Sequence, residues 1–373
     1  MSRDKIIETI TEDGNDASAI KKAADILQNG GLVAFPTETV YGLGADALNE
    51  TAAAKIYAAK GRPSDNPLIV HIADTQAVYE LASYVPESAR LLMEAFWPGP
   101  LTIVLPKKAI VPDGTTGGLD TVAIRMPSHP VALAMIRESG VYVAAPSANT
   151  SGRPSPTTAQ HVVEDMSGRI EMILDGGAVG IGIESTIVDL TGDIPTILRP
   201  GFITRSMLEA IIGPVEIDRA LIEFDPNLRP KAPGMKYTHY APKGELSIVE
   251  YSGSENNNQS MRHTSEEHNI DETDVLRIAD KINELVADKV SQGFKAVVIT
   301  TEEHRQLYSC DNILVVGSLK VGETIAAGLY AVLRECDKLG ADYIYTEAFN
   351  QGELGGAIMN RLIKAAGHRV IMV

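Results

Sequence analysis

The sequence predicts an α/β protein with a mixed sheet, and three features support this fold class. Short apolar runs that are typical of buried strands alternate irregularly with segments of helical periodicity. Polar loops recur directly after the predicted strands, at the edge where open α/β sheets collect ligands. The length of 373 residues exceeds what one hydrophobic core usually supports, so we expect two domains.

The composition is that of an ordinary globular protein, with 44% hydrophobic and 22% charged residues. The first residues carry no apolar core that would indicate a secretory signal, and no apolar run is long enough to span a membrane. Cys310 and Cys336 are too few and too far apart for a metal knuckle or a disulfide framework. We therefore expect a cytoplasmic protein with no membrane partner.

The net charge of -16 argues against a protein whose main activity is coating nucleic acid. The two long parts of the chain, 1–228 and 244–373, each carry an excess of acidic residues. Between them, residues 229–243 contain four basic residues and no acidic one. A short basic stretch in an acidic protein fits an anionic ligand, and it also fits a solvated linker.

The first predicted domain covers residues 1–228, and its elements follow from periodicity and from Gly and Pro positions. Residues 16–29 repeat apolar side chains at helical spacing, and two glycines end that helix. Residues 32–35 form an apolar strand that stops at Pro36, because proline cannot donate to a sheet ladder. The same reasoning predicts helices over 50–59, 85–96, 130–139 and 204–212, and strands over 68–72, 101–105, 122–126, 141–145, 170–174, 185–190 and 196–198.

Residues 229–243 are rich in Pro, Gly and Tyr and are predicted to link the first domain to a smaller α/β domain over 244–373. Residues 252–273 are polar and are predicted to form a mobile insertion after a strand that starts at Leu246. Further helices are predicted over 275–292, 324–339 and 356–366, with strands over 296–299, 313–316 and 343–346.

Residues 30–44, GGLVAFPTETVYGLG, join the first buried strand to a small, hydroxylated loop. Gly42 and Gly44 allow a sharp turn or a close approach of the backbone to a ligand. From these residues alone, a plain strand and tight corner remain an equally good interpretation.

Lys60 and Arg62 lie on a short loop that Pro63 and Pro67 stiffen. Cations at fixed positions suit phosphate oxygens, and arginine is able to make two parallel hydrogen bonds to them. A solvated basic turn is the alternative for this pair.

Other polar residues occur at or inside predicted strands. Ser147 and Asn149 follow a strand and Pro146, where they would orient a nucleotide or simply close a turn. Arg125 lies in an apolar strand and must therefore meet a carboxylate, either of the protein or of a substrate. His71 lies inside the run LIVHIA, a position typical of a hydrogen-bonded core histidine.

Residues 176–182, GGAVGIG, resemble a dinucleotide-binding loop only weakly. No helical pattern follows them, and no acidic residue stands at the required distance.

Taken together, several long motifs occur in a specific order: PTETVYGLG, KGRPSDNPLIVH, WPGPLT, VAIRMPSHP, APSAN, GRPSPT, IESTIVDL and ILRPG. In order and spacing they resemble the YrdC-like L-threonylcarbamoyladenylate synthases. The stretch APGMKYTHYAP and the domain after it resemble the longer, two-domain members of that family. The resemblance implies a YrdC-like domain with a twisted, mixed, open sheet, followed by a smaller Rossmann-like α/β domain.

The resemblance also implies a nucleotidyltransferase activity. Such an enzyme joins L-threonine, bicarbonate or CO2, and ATP into threonylcarbamoyl-AMP and pyrophosphate. Later tRNA-modification enzymes accept the product and form threonylcarbamoyladenosine. Mg²⁺ is expected to arrive with the ATP phosphates, with no metal site built by the protein.

The resemblance assigns roles to particular residues. The catalytic signature falls on Lys60, Arg62, Ser147 and Asn149. The threonine-binding residues are Thr37, His71, Arg125 and Ser185. The ATP-binding residues are Lys60, Asn66, Ser147, Ser155, Arg199 and Tyr237. Tyr237 lies in the linker over 229–243, which we expect to fold over the nucleotide as a lid.

Two rival functions remain open at this point. One is a double-stranded RNA or tRNA binding module, although the acidic excess of both domains argues against it as the main activity. The other is a nucleotide-sensing regulator that uses the C-terminal domain as a switch, although that domain contains no phosphate-loop motif. The role of the C-terminal domain, the oligomeric state and direct tRNA binding are not predicted.

Overall fold

The structure is a computed structural model that describes residues 9–221, 240–251 and 271–373. The chain forms two compact units. The described residues of the first unit are 9–151 and 155–221, and those of the second are 152–154, 240–251 and 271–373.

The first unit alternates strands and helices in the irregular order that the sequence predicts. Its strands are β1 (Ile10–Asp13), β2 (Val33–Phe35), β3 (Gly42–Asp46), β4 (Ile69–His71), β5 (Leu101–Pro106), β6 (Thr121–Arg125), β7 (Val143–Ala145), β8 (Met172–Asp175), β9 (Thr186–Asp189), β10 (Thr196–Arg199) and β11 (Glu216–Ile217). Its helices are α1 (Ala17–Gln28), α2 (Glu50–Lys60), α3 (Ala77–Leu81), α4 (Glu87–Phe96), α5 (Asp113–Thr116), α6 (Pro130–Ser139), α7 (Ala159–Met166) and α8 (Arg205–Ile212), followed by a 3-10 turn at Arg219–Leu221.

The described strands of this unit form an 11-stranded sheet in the order β1-β8-β2-β3-β7-β4-β6-β5-β9-β10-β11. Strand β3 pairs antiparallel with β2 and β7, and β5 pairs antiparallel with β6. Strands β4 and β6, and strands β5 and β9, pair in parallel. The prediction of a mixed sheet is therefore confirmed.

Strand β2 is buried on both faces, as the apolar run before Pro36 predicted. Val33 and Phe35 belong to the apolar cluster that includes Leu27 and Met135. Ala34, between them, belongs to the larger cluster on the other face. Because successive strand residues point to opposite faces, this division places one apolar core on each side of β2.

Local signals fix several helix ends. The Asp16 side chain accepts from the Ser18 N–H and caps α1. Helix α6 begins at Pro130 and is followed by Gly140, which adopts a left-handed conformation with φ of 61°. The predicted bounds of α6 are therefore correct at both ends.

Strand β3 was not predicted, since glycine-rich segments have low strand propensity. A Cβ atom on Gly44 would lie 2.7 Å from Val143 Cγ1 and 2.9 Å from Phe35 Cε1. The glycine is thus required by a close approach of β3 to its neighbours. The stretch that we interpreted as a turn and tight corner turns first and then pairs as a strand.

The second unit is a smaller α/β domain. Its strands are β12 (Glu245–Glu250), β13 (Ala296–Thr300), β14 (Ile313–Val315), β15 (Tyr343–Glu347) and β16 (Val370–Met372), and its helices are α9 (Glu272–Ser291), α10 (Gly322–Leu339) and α11 (Gly355–Ala365), with a 3-10 turn at Arg305–Leu307. The strands form a parallel sheet in the order β14-β13-β15-β12-β16. This arrangement agrees with the predicted Rossmann-like domain.

Two predictions concern segments that the structure covers only in part. The linker over 229–243, its proposed action as a lid and Tyr237 lie almost wholly outside the described residues, and so does the polar insertion up to residue 270. Helix α9 begins at Glu272 with Asp271 as its cap, so the helix starts earlier than predicted. Among the helices that the structure describes, none has the length and apolar character needed to cross a bilayer.

Candidate active site

Three strands of the first unit place polar side chains side by side. His71 on β4 pairs in register with Arg125 on β6, and Arg125 pairs in register with Thr102 on β5. Directly opposed residues on neighbouring strands share a face of the sheet. His71, Arg125 and Thr102 therefore form one row of buried polar side chains within an otherwise apolar region.

Arg125 meets a carboxylate of the protein, which answers the question that the sequence left open. Its Nη2 atom donates to Glu38 Oε1 at 2.6 Å, and its Nε atom faces the Gly99 carbonyl at 3.4 Å. The other Glu38 oxygen accepts from the Ser128 N–H at 3.1 Å. Glu38 belongs to the PTETVYGLG stretch, but sequence reasoning gave it no role.

The Glu38 carboxyl is ionised. Burial works to raise its pKa, but the charge and the hydrogen bond of Arg125 outweigh burial, and the pKa is lowered overall. The side chains of Arg125 and Glu38 are 4% and 14% exposed, so this ion pair lies in a setting where charges interact strongly.

His71 stays neutral. Burial lowers the pKa of its imidazole to about 3, and the nearby Arg125 charge acts in the same direction. The Nδ1 atom lies 3.0 Å from the Ile69 carbonyl, and since a carbonyl only accepts, Nδ1 carries the proton. The ring is thus the hydrogen-bonded core histidine that its position in LIVHIA predicted. Its role in threonine binding remains a prediction.

Thr37 stabilises its own loop. Its hydroxyl donates to the Val40 carbonyl at 2.6 Å and accepts from the Thr39 and Val40 N–H groups at 3.2 Å. We therefore expect any contact of Thr37 with a substrate to be made through its backbone or methyl group.

Ser185 belongs to a second buried polar group. Its hydroxyl lies 2.8 Å from the Thr102 hydroxyl and accepts from Arg199 Nη2 at 3.0 Å. Arg199 Nε donates to the Ser185 carbonyl at 3.0 Å. Thr102 thus connects Ser185 to the row that contains Arg125, a link that no local sequence pattern indicated.

Ser155 is fully buried, and its hydroxyl donates to Glu184 Oε1 at 2.6 Å. Glu184 directly precedes Ser185, so these contacts lie beside those of Ser185 and Arg199. Four of the residues assigned by resemblance, Arg125, Ser155, Ser185 and Arg199, are therefore buried among polar partners.

Lys60 contacts the loop that carries Ser147 and Asn149, so three of the four residues of the predicted catalytic signature lie together. Lys60 Nζ donates to the Ser147 and Asn149 carbonyls at 2.5 Å each. The Ser147 hydroxyl donates to Asn149 Oδ1 at 2.5 Å. The ammonium group thus holds the loop after β7 in place.

That loop lies on the PTETVYGLG segment. The Leu43 N–H donates to the Pro146 carbonyl at 2.8 Å, and the Ala148 N–H donates to the Tyr41 carbonyl at 2.8 Å. The predicted catalytic residues after β7 are therefore fixed against the segment that carries Thr37 and Glu38.

Asn66 has a side-chain amide that is buried without a hydrogen-bond partner for either Oδ1 or Nδ2 among the described residues. Leaving a buried amide unpaired costs about 1–3 kcal/mol. Its carbonyl accepts from Arg62 Nη2 at 3.1 Å, which ties Arg62 to this loop.

Residues 176–182 do not form a dinucleotide loop. They lead into strand β9 rather than into a helix. The Ile181 and Gly182 N–H groups donate to the Glu38 and Thr39 carbonyls at 2.9 and 3.1 Å. The segment therefore supports the loop that carries Glu38.

No group of three or more His, Cys, Asp or Glu side chains is placed to hold a metal ion in the part of the chain that the structure describes. The described polar side chains at the site are cations, hydroxyls and amides, together with the carboxylates of Glu38 and Glu184, which bind Arg125 and Ser155. Loops that gather such groups at the strand ends of a mixed sheet define a ligand-binding α/β enzyme.

Comparison with known proteins shows the family to which the chain belongs. Residues 25–201 match the Sua5/YciO/YrdC family, described as "Telomere recombination", and residues 203–367 match the family described as "Threonylcarbamoyl-AMP synthase, C-terminal domain". The chain is 50% identical to the threonylcarbamoyl-AMP synthase of Bacillus subtilis over 94% of both chains. It is 46% identical to the threonylcarbamoyl-AMP synthase of Pyrococcus abyssi, over 95% of this chain and 96% of that one.

A solved structure gives the same result. The crystal structure of Pyrococcus abyssi Sua5 complexed with L-threonine matches with a TM-score of 0.85 and 45% identity, over 99% of this chain and 100% of that one. The chain therefore belongs to the threonylcarbamoyl-AMP synthase family, in its two-domain form. The family and the transferase class predicted from the motifs are confirmed.

Proposed function

We propose that this chain condenses L-threonine, bicarbonate or CO2, and ATP to threonylcarbamoyl-AMP and pyrophosphate. The observation that supports this most directly is near full-length similarity to threonylcarbamoyl-AMP synthases, combined with a buried site of cations, hydroxyls and amides. The relative with L-threonine bound makes an amino acid the natural substrate class.

The amino acid is proposed to bind at the row of polar side chains. Arg125 is buried and oriented by Glu38, and its guanidinium suits the α-carboxylate of threonine. Ser185 and the neutral imidazole of His71 are proposed to line the same pocket, with the Thr37 loop as a wall. The neutral imidazole adds no charge that would attract a second anion.

The nucleotide is proposed to bind beside the loop after β7. Lys60 and Arg62 supply positive charge for the triphosphate, and Ser147 and Asn149 supply donors and acceptors. The unpaired amide of Asn66 is available for a further contact. Ser155 and Arg199 are proposed to complete this part of the site, together with Tyr237, which lies outside the described residues.

The chemistry needs positioning more than covalent participation by the protein. The threonine amine, once it has lost a proton to solvent, adds to CO2 and releases a second proton to form a carbamate. The carbamate is short-lived in water, so the site must exclude water. A carbamate oxygen then attacks the α-phosphorus of ATP in line and displaces pyrophosphate. Orientation and charge stabilisation by Lys60 and Arg62 should supply most of the rate enhancement.

Mg²⁺ is proposed to enter with ATP as part of the substrate. The assigned side chains around the nucleotide are cationic or neutral, a donor set that binds phosphates rather than a metal ion. The ion would neutralise phosphate charge during pyrophosphate release. Transfer of the product to later tRNA-modification enzymes and a cytoplasmic location remain predictions.

The test is pyrophosphate release from ATP with each standard amino acid, with and without bicarbonate. We expect release to need L-threonine and bicarbonate together, because the carbamate and not the amine is the nucleophile. Serine lacks one methyl group, which in a pocket is worth about 1–3 kcal/mol, so serine should react at least several-fold more slowly.

Equal turnover with serine, or turnover in degassed buffer without bicarbonate, would contradict the assignment. Filter binding to tRNA without ATP, over a salt series, tests the rival RNA-binding function. Tight binding with a steep salt dependence would favour that rival.

A further inference from the structure

Glu38 is the residue of the site to which neither the motifs nor the proposed chemistry assigns a role. It lies on the loop of Thr37, within hydrogen-bond distance of Arg125 Nη2 and of the Ser128 N–H. Its own carbonyl accepts from the Ile181 N–H at 2.9 Å. The carboxylate is thus held by the loop after β6, and its backbone is held by the segment before β9.

Glu38 fixes the orientation of the Arg125 guanidinium. Nη2 is bound to Glu38, and Nε faces the Gly99 carbonyl, so the group is restrained on two sides. Among the described residues, Nη1 makes no hydrogen bond. The edge of the guanidinium that is left for a ligand is therefore defined by the Glu38 contact.

Glu38 also sets the net charge at this place. Glu38 is negative, Arg125 is positive and His71 is neutral, so the three groups together carry no net charge. An isolated buried guanidinium would attract any small carboxylate anion. When Glu38 offsets that charge, a simple anion gains less electrostatic binding energy. A zwitterion keeps its binding energy, because its carboxylate faces Arg125 and its ammonium group faces the negative potential of Glu38.

We infer that Glu38 is a positioning and selectivity residue, which orients Arg125 and makes the pocket prefer a zwitterionic amino acid over a simple carboxylate anion. This inference rests on the proposed function, because it takes Arg125 as the group that binds the amino-acid carboxylate. It predicts that the pocket rejects analogues of the substrate that lack the amine.

The probe is 3-hydroxybutyrate, which differs from threonine by the absence of the α-ammonium group. In the wild-type full-length protein, it should inhibit weakly, with an inhibition constant at least about tenfold above the KM for threonine. In Glu38→Gln, the KM for threonine should rise at least about tenfold while the KM for ATP changes less than about twofold. Inhibition by 3-hydroxybutyrate should become stronger in the same variant.

That gain of binding separates selectivity from simple damage, because a variant with a disordered pocket would bind both compounds more weakly. Glu38→Asp, which keeps the charge, should restore most of the preference for threonine. Glu87→Gln is the matched control, since Glu87 pairs with Arg90 on the exposed surface of α4 and should leave both constants unchanged.

Two results would overturn the inference. One is weaker binding of both compounds by Glu38→Gln, or no change in either. The other needs no variant: wild-type protein that binds 3-hydroxybutyrate as tightly as threonine. Absence of threonine-dependent and bicarbonate-dependent pyrophosphate release in wild type would instead refute the proposed function.

Discussion

His71 in the first unit and His304 in the second each lie near a carboxylate, yet their pKa values move in opposite directions. Burial lowers the pKa of His71, and the Arg125 charge lowers it further. His304 Nδ1 lies 2.5 Å from Glu347 Oε2, and this hydrogen bond raises the pKa of His304 despite burial. Burial thus decides the direction of the pKa shift at His71, whereas at His304 the hydrogen bond to Glu347 outweighs burial.

The two carboxylates also differ in what they are used for. Glu347 accepts from Thr300 and His304, both in the same unit, so its hydrogen bonds stabilise the strand ends there. Glu38 binds an arginine that has one guanidinium nitrogen without a hydrogen bond to any described residue. Glu38 thus holds Arg125 in place and leaves one nitrogen of its guanidinium able to bind a substrate. We therefore expect the Glu38–Arg125 arrangement to serve binding and the Glu347–His304 arrangement to serve folding.

The largest expected effect is that of Arg125→Ala. Removing one partner of a buried charge pair costs about 2–5 kcal/mol. We expect a correspondingly large loss of kcat/KM for threonine, with little change in ATP affinity. Steady-state kinetics with each substrate varied in turn measures both.

Glu347→Gln in the second unit is the matched comparison. If its carboxylate serves folding alone, kcat/KM should stay at the wild-type value. An Arg125→Ala protein that unfolds and binds neither substrate would show that the Arg125–Glu38 pair is structural, and the contrast between the two carboxylates would disappear.

The next effect is that of Lys60→Ala. A preorganised charge directed at developing negative charge is worth on the order of 10²–10³ in kcat. We expect a loss of that size under saturating substrates in single-turnover measurements. Because Lys60 also donates to the Ser147 and Asn149 carbonyls, Lys60→Arg serves as the control that keeps the charge. If Lys60→Ala kept the wild-type kcat, Lys60 would have no role in the reaction.

The fold was predictable from sequence where local signals exist. Helix α6 lies between Pro130 and Gly140, and its predicted bounds are correct. Strand β3 was missed because its glycines have low strand propensity, although it pairs with the neighbouring β2. The edge strands β1 and β16 were missed because they pair with β8 and β12, which are distant in the sequence. Propensity does not contain that information.

The site was predictable in its residue types but not in its contacts. A buried arginine in an apolar strand required a carboxylate, but 87 positions separate Arg125 from Glu38. The role of Thr102 could not be predicted, because a single threonine in a strand is common. Its importance comes from its hydrogen bond with the Ser185 hydroxyl. The unpaired amide of Asn66 follows from burial, which only the folded chain defines.

The smallest effect concerns pH and tests the comparison directly. His71 has a folded pKa below its unfolded value, so the stability it contributes is present above about pH 6.5 and is lost as pH falls toward 3. Between pH 7.5 and 5.5 the first unit should lose about 1 kcal/mol of unfolding free energy. The lowered pKa of Glu38 acts in the same direction at more acidic pH.

His304 has a raised folded pKa, so its contribution is present at acidic pH and is lost as pH rises through that folded pKa. The second unit should therefore become more stable over the same pH decrease, by a smaller amount because His304 is only half-buried. Urea unfolding can be followed in each unit by its own signal, since the single tryptophan, Trp97, is buried in the first and Cys336 is buried in the second. As pH falls, tryptophan fluorescence should report a lower unfolding free energy for the first unit, and Cys336 alkylation should report a higher one for the second. His71→Gln should abolish the first change, and His304→Gln should abolish the second. Shifts of the same sign in both units would show that the two histidines do not differ as their partners predict.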